Sequence, residues 1–162
     1  MADRAGFEGF YRARQAGLIR ACTLVTLDPS SAEDVAAEAF ARLWARWGAI
    51  QDEDHAGGYV YKTAMRLCVR RARRLRHEPL GLGDRPGRDH LEPLLIRVDV
   101  FRAMRSLPLR QRQAVVLRDW AGYETHRVAA MLGMRESTVR VHLARGRAAL
   151  RTALKVEEEE RS

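Results

Sequence analysis

An all-α chain is predicted: two small helical domains joined by a flexible linker, the C-terminal one containing a helix-turn-helix. Three observations in the 162 residues point there. Period-two alternation is sustained nowhere, whereas apolar residues recur repeatedly at the 3.6-residue helical period. Residues 79–93 are rich in Gly and Pro and have no period, so they read as a linker between two helical stretches. Near the C-terminus, two short helical patterns flank Gly133 with helix-turn-helix spacing.

The first helix is expected from about Asp3 to Leu27, with Phe7, Phe10, Tyr11, Leu18, Cys22 and Val25 near one face. Asp28-Pro29-Ser30-Ser31 reads as a turn, and Ser30 with Glu33 or Ser31 with Asp34 gives a capping pattern for the second helix. That helix lines up Ala36, Phe40, Leu43, Trp44 and Trp47, and opposite them Glu33, Asp34, Glu38 and Arg42. Its acids lie toward the N-terminus, where the helix dipole favours them. Residues 51–58 read as an acidic loop ending in Gly. A third helix from about Tyr59 to His77 carries the apolar stripe Val60, Ala64, Leu67, Cys68, Ala72 and Leu75. In the second module, Leu107-Pro108 breaks the chain and a helix runs from about Arg110 to Trp120. A short helix covers about 125–132, and a last one about 136–154 with Val139, Leu143, Gly146, Leu150 and Leu154 inward. The glutamates at 157–160 oppose the dipole at a helix C-terminus and read as a frayed acidic tail.

Composition excludes several classes. Hydrophobic residues at 46% and charged residues at 31% belong to a chain that folds. A net charge of +8 favours a polyanionic partner, nucleic acid first. No apolar run approaches the ~20 residues of a membrane span. Met1 to Phe10 shows no basic stretch followed by an apolar segment, so a cytoplasmic location is expected. Cys22 and Cys68 each sit in an apolar stripe and read as reduced core residues. The acidic run Asp52-Glu53-Asp54-His55 has no second ligand group at metal-binding spacing, and no GxSxG, P-loop or GxGxxG occurs. No catalytic residue, metal site or cofactor is expected.

Two constellations suit DNA. Around Gly133, Val128, Ala129, Leu132, Val139 and Leu143 form the inner side of a helix-turn-helix, and Gly133 ends the first helix with a positive φ. The second helix then exposes Ser137, Arg140, Val141, Ala144 and Arg145, with Thr138 and His142 at the margin. Its first turns fit a major groove, where Arg bonds guanine edges and phosphates. The bland alternative is a helical hairpin with a solvated basic face. The other constellation is the third helix, where Lys62, Arg66, Arg70, Arg73 and His77 share one face that Arg71, Arg74 and Arg76 widen. No acid falls between His55 and Glu78, unlike a merely solvated helix. Cations beside Tyr59, Tyr61 and Trp47 suit single strands, whose bases stack on rings while Lys and Arg follow phosphates. The same aromatics also fit a core, and both readings stand.

These residues also resemble a known family. Ala32-Glu33-Asp34-Val35 through Phe40, Leu43 and Trp44 resembles the acidic conserved-region-two helix of bacterial sigma factors. Ser106-Leu107-Pro108-Leu109-Arg110-Gln111-Arg112 and Val115-Val116-Leu117-Arg118, followed by the helix-turn-helix, resembles their region four. Order and linker are similar to the extracytoplasmic-function (ECF) group of the sigma-70 family. The resemblance implies region 2 over residues 1–78, the linker 79–93, region 4 over 94–156 and an acidic tail over 157–162. It implies that Glu33, Asp34, Glu38 and Arg42 dock on the clamp helices of core RNA polymerase. Tyr59, Tyr61, Lys62, Arg66, Arg70, Arg73 and Arg74 would then capture the unpaired non-template strand of the −10 element. Arg118, Arg135, Ser137, Thr138, Arg140, Val141, His142 and Arg145 would read the −35 element of promoter DNA as duplex. The chain would direct transcription initiation without being an enzyme, under the control of an anti-sigma factor. It departs from the family's pattern at Ala37 (often Gln), at Arg66 and Arg70 (often Asn and Asp) and at Arg135 (a Ser). Glu124 and Arg127 replace a Ser and Glu capping pair, leaving Thr125 as the expected cap. Two rivals remain: a stand-alone helix-turn-helix regulator, and a sigma-like interaction protein without initiation activity.

Overall fold

A computed structural model describes residues 3–75 and 88–162, all helix and connecting turns with no strand among the described residues. The first module is three helices, α1 (Arg4–Thr26), α2 (Pro29–Arg46) and α3 (Glu53–Leu75), packed pairwise. The apolar stripes meet in one core: Leu18, Cys22 and Val25 from α1, Ala36, Phe40 and Leu43 from α2, and Val60, Ala64 and Cys68 from α3 are all buried. Both cysteines are free, and the hydrogen bond with Cys68, together with burial, pushes the Cys22 thiol up. Both therefore pack as small apolar residues.

Local chemistry sets the helix ends. Leu27 turns the chain after α1 with a left-handed backbone, φ 60°, and its N–H bonds the Thr23 carbonyl at 2.8 Å. Asp28, rather than Ser30 or Ser31, caps α2: its carboxylate accepts from the N–H of Ser30 (3.2 Å), the N–H of Ser31 (3.4 Å) and the Ser31 hydroxyl (2.7 Å). Pro29 sits in the first turn, where the missing N–H costs nothing. The expected loop over 51–58 is instead the start of α3. Asp52 accepts the His55 N–H at 2.7 Å, and Glu53 and Asp54 occupy the first turn, where the dipole favours them. Gly57 and Gly58 thus lie inside the helix.

The second module comprises α4 (Arg88–Leu91), a 3₁₀ turn (Glu92–Leu94), α5 (Val98–Met104), α6 (Leu109–Val115), a π turn (Val116–Trp120), α7 (Thr125–Leu132) and α8 (Glu136–Arg161). Most of the expected linker, residues 79–87, lies outside the described residues, as do Arg76 and His77 of the basic face. From Arg88 the expectation of an extended linker does not hold, because the chain folds into α4 with Leu91 fully buried. Phe101, Met104, Leu107, Val115, Leu117, Val128, Leu132, Val139 and Leu143 form the core. The π turn closes with the Ala121 N–H on the Val116 carbonyl at 2.9 Å.

The acidic tail is not frayed: α8 continues to Arg161 along α5. Glu157 approaches Arg102 at 3.7 Å, and Arg161 reaches Asp99 at 3.5 Å. Burial works against the Asp99 charge, but the hydrogen bonds from Arg97 and the Val100 N–H hold its carboxyl below the ordinary value.

Gly146 decides how closely α6 and α8 can cross. A Cβ there would lie 2.9 Å from Val115 Cγ2 and 3.4 Å from Leu107 Cδ2, both on buried side chains. Gly146→Leu is expected to cost about 2 kcal/mol through overpacking. A thermal melt should then fall by about 4–8 °C; an unchanged midpoint would show that the helices cross less tightly.

Candidate nucleic-acid interface

One face of α3 presents cations to solvent. Arg66, Arg70, Arg73 and Arg74 are exposed, while Tyr59 and Lys62 are partly buried. This follows from the stripe: with Val60, Ala64 and Cys68 inward, the arginines two to six residues on must point out. The Arg46 guanidinium lies 5.9 Å from the centre of the Tyr59 ring. Arg71 does not widen this face as expected. It turns back to α2, bonding Asp34 at 3.0 Å and the Ser31 hydroxyl at 3.3 Å.

Tyr61 is the site residue that the structure moves. It is only 8% exposed and stacks edge-on against Tyr123 of the second module, ring centres 5.5 Å apart. Burial, with a smaller contribution from Tyr123, pushes its phenol up to about 12. As placed, it offers no surface to a base. Trp47 likewise takes the core reading, its ring 5.4 Å from Phe7 and 5.6 Å from Phe10.

On α2, Glu33, Asp34, Glu38 and Arg42 are all exposed. Glu38 and Arg42 pair with each other at 2.6 Å. Trp44, 41% exposed, lies two residues beyond Arg42, its ring 4.9 Å from that of Phe7.

The helix-turn-helix is α7, Gly133 and the start of α8. Gly133 has φ 63°, and the Met134 N–H bonds the Ala129 carbonyl at 3.0 Å, which ends α7 sharply. Val128, Ala129, Leu132, Val139 and Leu143 are buried, so Arg135, Ser137, Thr138, Arg140, Val141 and Arg145 are exposed. His142 and Arg118 are half-buried. Arg140 leans on Glu136 at 2.9 Å, a pair held on the exposed surface. Glu124, not Thr125, occupies the cap position of α7, and its side chain makes no capping bond. Arg147 grips Asp119 through two bonds, 2.6 and 3.0 Å, tying α8 to the π turn. Nothing in the spacing marked that pair in advance.

The modules touch. Residues 10–78 match the family Sigma-70 region 2, and residues 97–150 match Sigma-70, region 4. The chain is 34% identical to the RNA polymerase sigma-E factor of Streptomyces coelicolor over 95% of its own length and 89% of the relative's. It is 30% identical to the ECF RNA polymerase sigma factor SigM of Mycobacterium tuberculosis over 91% of its length and 76% of that relative's. The chain belongs to the ECF group of sigma-70 family sigma factors. Solved structures agree in fold. The sigma factor RpoE in complex with the anti-sigma factor NepR, from Bartonella quintana, covers 93% of this chain and 98% of its own, with TM-score 0.75 at 17% identity. CnrH in complex with the cytosolic domain of CnrY covers 95% of this chain and 90% of its own, with TM-score 0.67 at 19% identity. In this sigma factor the α2 acids and α3 arginines fall within the region 2 match, and Arg118 to Arg145 within the region 4 match.

Tyr61 supplies a pH test of the packing. Its folded value near 12 exceeds the ordinary 10, so the folded state holds the proton more tightly. Unfolding then releases a proton between pH 10 and 12, and stability present below pH 10 is lost as pH rises through that window. Tyr61→Phe should flatten part of this loss in urea melts compared at pH 9 and 11. The slope should not vanish, because Tyr123 and Cys22 shift the same way. An unchanged slope would place Tyr61 in solvent.

Proposed function

We propose that this ECF sigma factor binds core RNA polymerase through the outer face of α2, with Glu33, Asp34, Glu38 and Arg42 as contacts. It then brings the polymerase to promoters by two different readings of DNA. The start of α8 enters the major groove of the −35 element as duplex, where Arg140 and Arg145 face bases and phosphates. The cationic face of α3, with Tyr59, Lys62, Arg66, Arg70, Arg73 and Arg74, captures the non-template strand of the −10 element as it unpairs. Capturing bases offsets the cost of unstacking them, so strand opening needs no ATP. Chemistry stays with the polymerase, and the sigma factor supplies promoter choice in the cytoplasm. Arg66 and Arg70, where the family often has Asn and Asp, give a −10 preference shifted from that of its relatives. An anti-sigma factor completes the set of partners, a reading supported by the structural neighbour RpoE, which was solved in complex with one.

The observation that carries this reading is the pairing of two cationic helix faces in one chain, one on α3 and one on α8, both left exposed by their cores. Run-off transcription with core polymerase over a promoter library tests it. Wild-type protein should select a small set of promoters. Each of Arg140→Ala and Arg145→Ala should lower output from them about tenfold, the scale of one lost base contact of about 1–3 kcal/mol. No selected promoter, with the protein folded and bound to core, would leave the sigma-like interaction protein. Tight two-fold operator binding without polymerase would favour the stand-alone regulator.

A further inference from the structure

We propose that Val141 makes the −35 reading selective for thymine, by packing against the C5 methyl group that thymine places in the major groove. This deepens the duplex reading proposed above for the start of α8 and rests on it.

Val141 stands on the outermost line of that helix. Val139 and Leu143 are buried, and Val141 lies two residues from each, about 200° around the helix from Val139. It therefore points away from the core, toward whatever the helix docks on. Ser137 lies one turn before it and Ala144 one turn after it, both exposed. Both are small, so base edges can approach Val141 closely. Arg140 and Arg145 lie to either side. The Arg140 guanidinium is held by Glu136 at 2.9 Å, and Val141 remains 46% exposed.

Folding gives no reason for a valine at this position. Val141 belongs neither to the core nor to the partly buried side chains packed around it. On an exposed helical site alanine is the better helix former, because a β-branched side chain loses χ1 freedom against the preceding turn. Among the described residues five large apolar side chains are exposed, and Val141 is the one that lies in the helix-turn-helix.

The chemistry of the side chain limits what it can recognise. Valine has no donor and no acceptor, so it bonds no guanine, adenine or cytosine edge. Against those edges it would cover donors and acceptors and leave them unpaired, which costs affinity. The thymine methyl is the apolar group that base pairs present in the major groove. A stiff χ1 holds both valine methyls in place before DNA arrives, so little freedom is lost on contact. Arg140 and Arg145 then supply affinity from phosphates and guanine edges nearby, and Val141 supplies the choice of base between them.

Holoenzyme binding to a promoter selected from the library, at one fixed salt concentration, tests this. Each −35 thymine is replaced in turn by deoxyuridine, which pairs identically and lacks only the methyl group. At the thymine facing Val141 the replacement should weaken binding about fourfold, the worth of one methyl group taken out of water. Val141→Ser should lose about the same factor on the thymine duplex and bind the two duplexes equally, with helical circular dichroism unchanged. Arg145→Ala should weaken binding to both and keep the ratio between them. A selected −35 element without thymine, no thymine whose methyl group matters, or a ratio that survives in Val141→Ser would each overturn the methyl reading. Those results leave promoter selection itself standing, whereas a holoenzyme that selects no promoter removes the duplex reading along with it.

Discussion

A guanidinium cannot be buried without a partner except at a cost of several kcal/mol, and that constraint orients both working helices. On α3 the side chains of Val60, Ala64 and Cys68 claim the interior, and Arg66, Arg70, Arg73 and Arg74 must then lie in water. On α8, Val139, Leu143 and Gly146 fill the same role for Arg140 and Arg145. The two faces are thus consequences of core packing. Where an arginine does turn inward, it finds carbonyls or carboxylates: Arg112 meets Val25, Arg71 meets Asp34, and Arg127 meets Asp54.

The same packing that exposes the two faces also lets the modules meet. The contact runs over the N-terminal half of α3 and the C-terminal turn of α1, away from the exposed outer face of α8. The exposed face of α8 stays clear of that contact, whereas Tyr59 and Lys62 of α3 line the cleft that faces α7.

The fold class was legible because it depends on one simple signal, the 3.6-residue period, which every long helix shows. Helix ends were less legible. Ser30 and Ser31 matched a capping pattern, but Asp28 stood closer to the free N–H groups and took the cap. Gly57 and Gly58 read as a loop because glycine weakens helices. In the folded chain they serve a neighbour 65 residues or more away, which no local pattern announces. The tail read as frayed because its glutamates oppose the dipole, yet Arg102 and the Asp99–Arg161 pair hold it along α5. The exposed cations of both candidate surfaces were legible from helical phase. Tyr61 was not, since its ring faces an aromatic on the other module. Arg127 was visible only as a departure from a capping pair, and its partner lies 73 positions away.

The division of labour proposed for α3 and α8 is open to direct measurement. A photocrosslinking residue placed at position 70 or at position 140, in the sigma factor bound to core polymerase on a selected promoter, reports which DNA each helix touches. Position 140 should crosslink to upstream duplex, and position 70 to the non-template strand only where that strand has become reactive to single-strand probes. Crosslinks from both positions to the same duplex segment, or from position 70 to a strand that remains paired, would contradict the two-surface division.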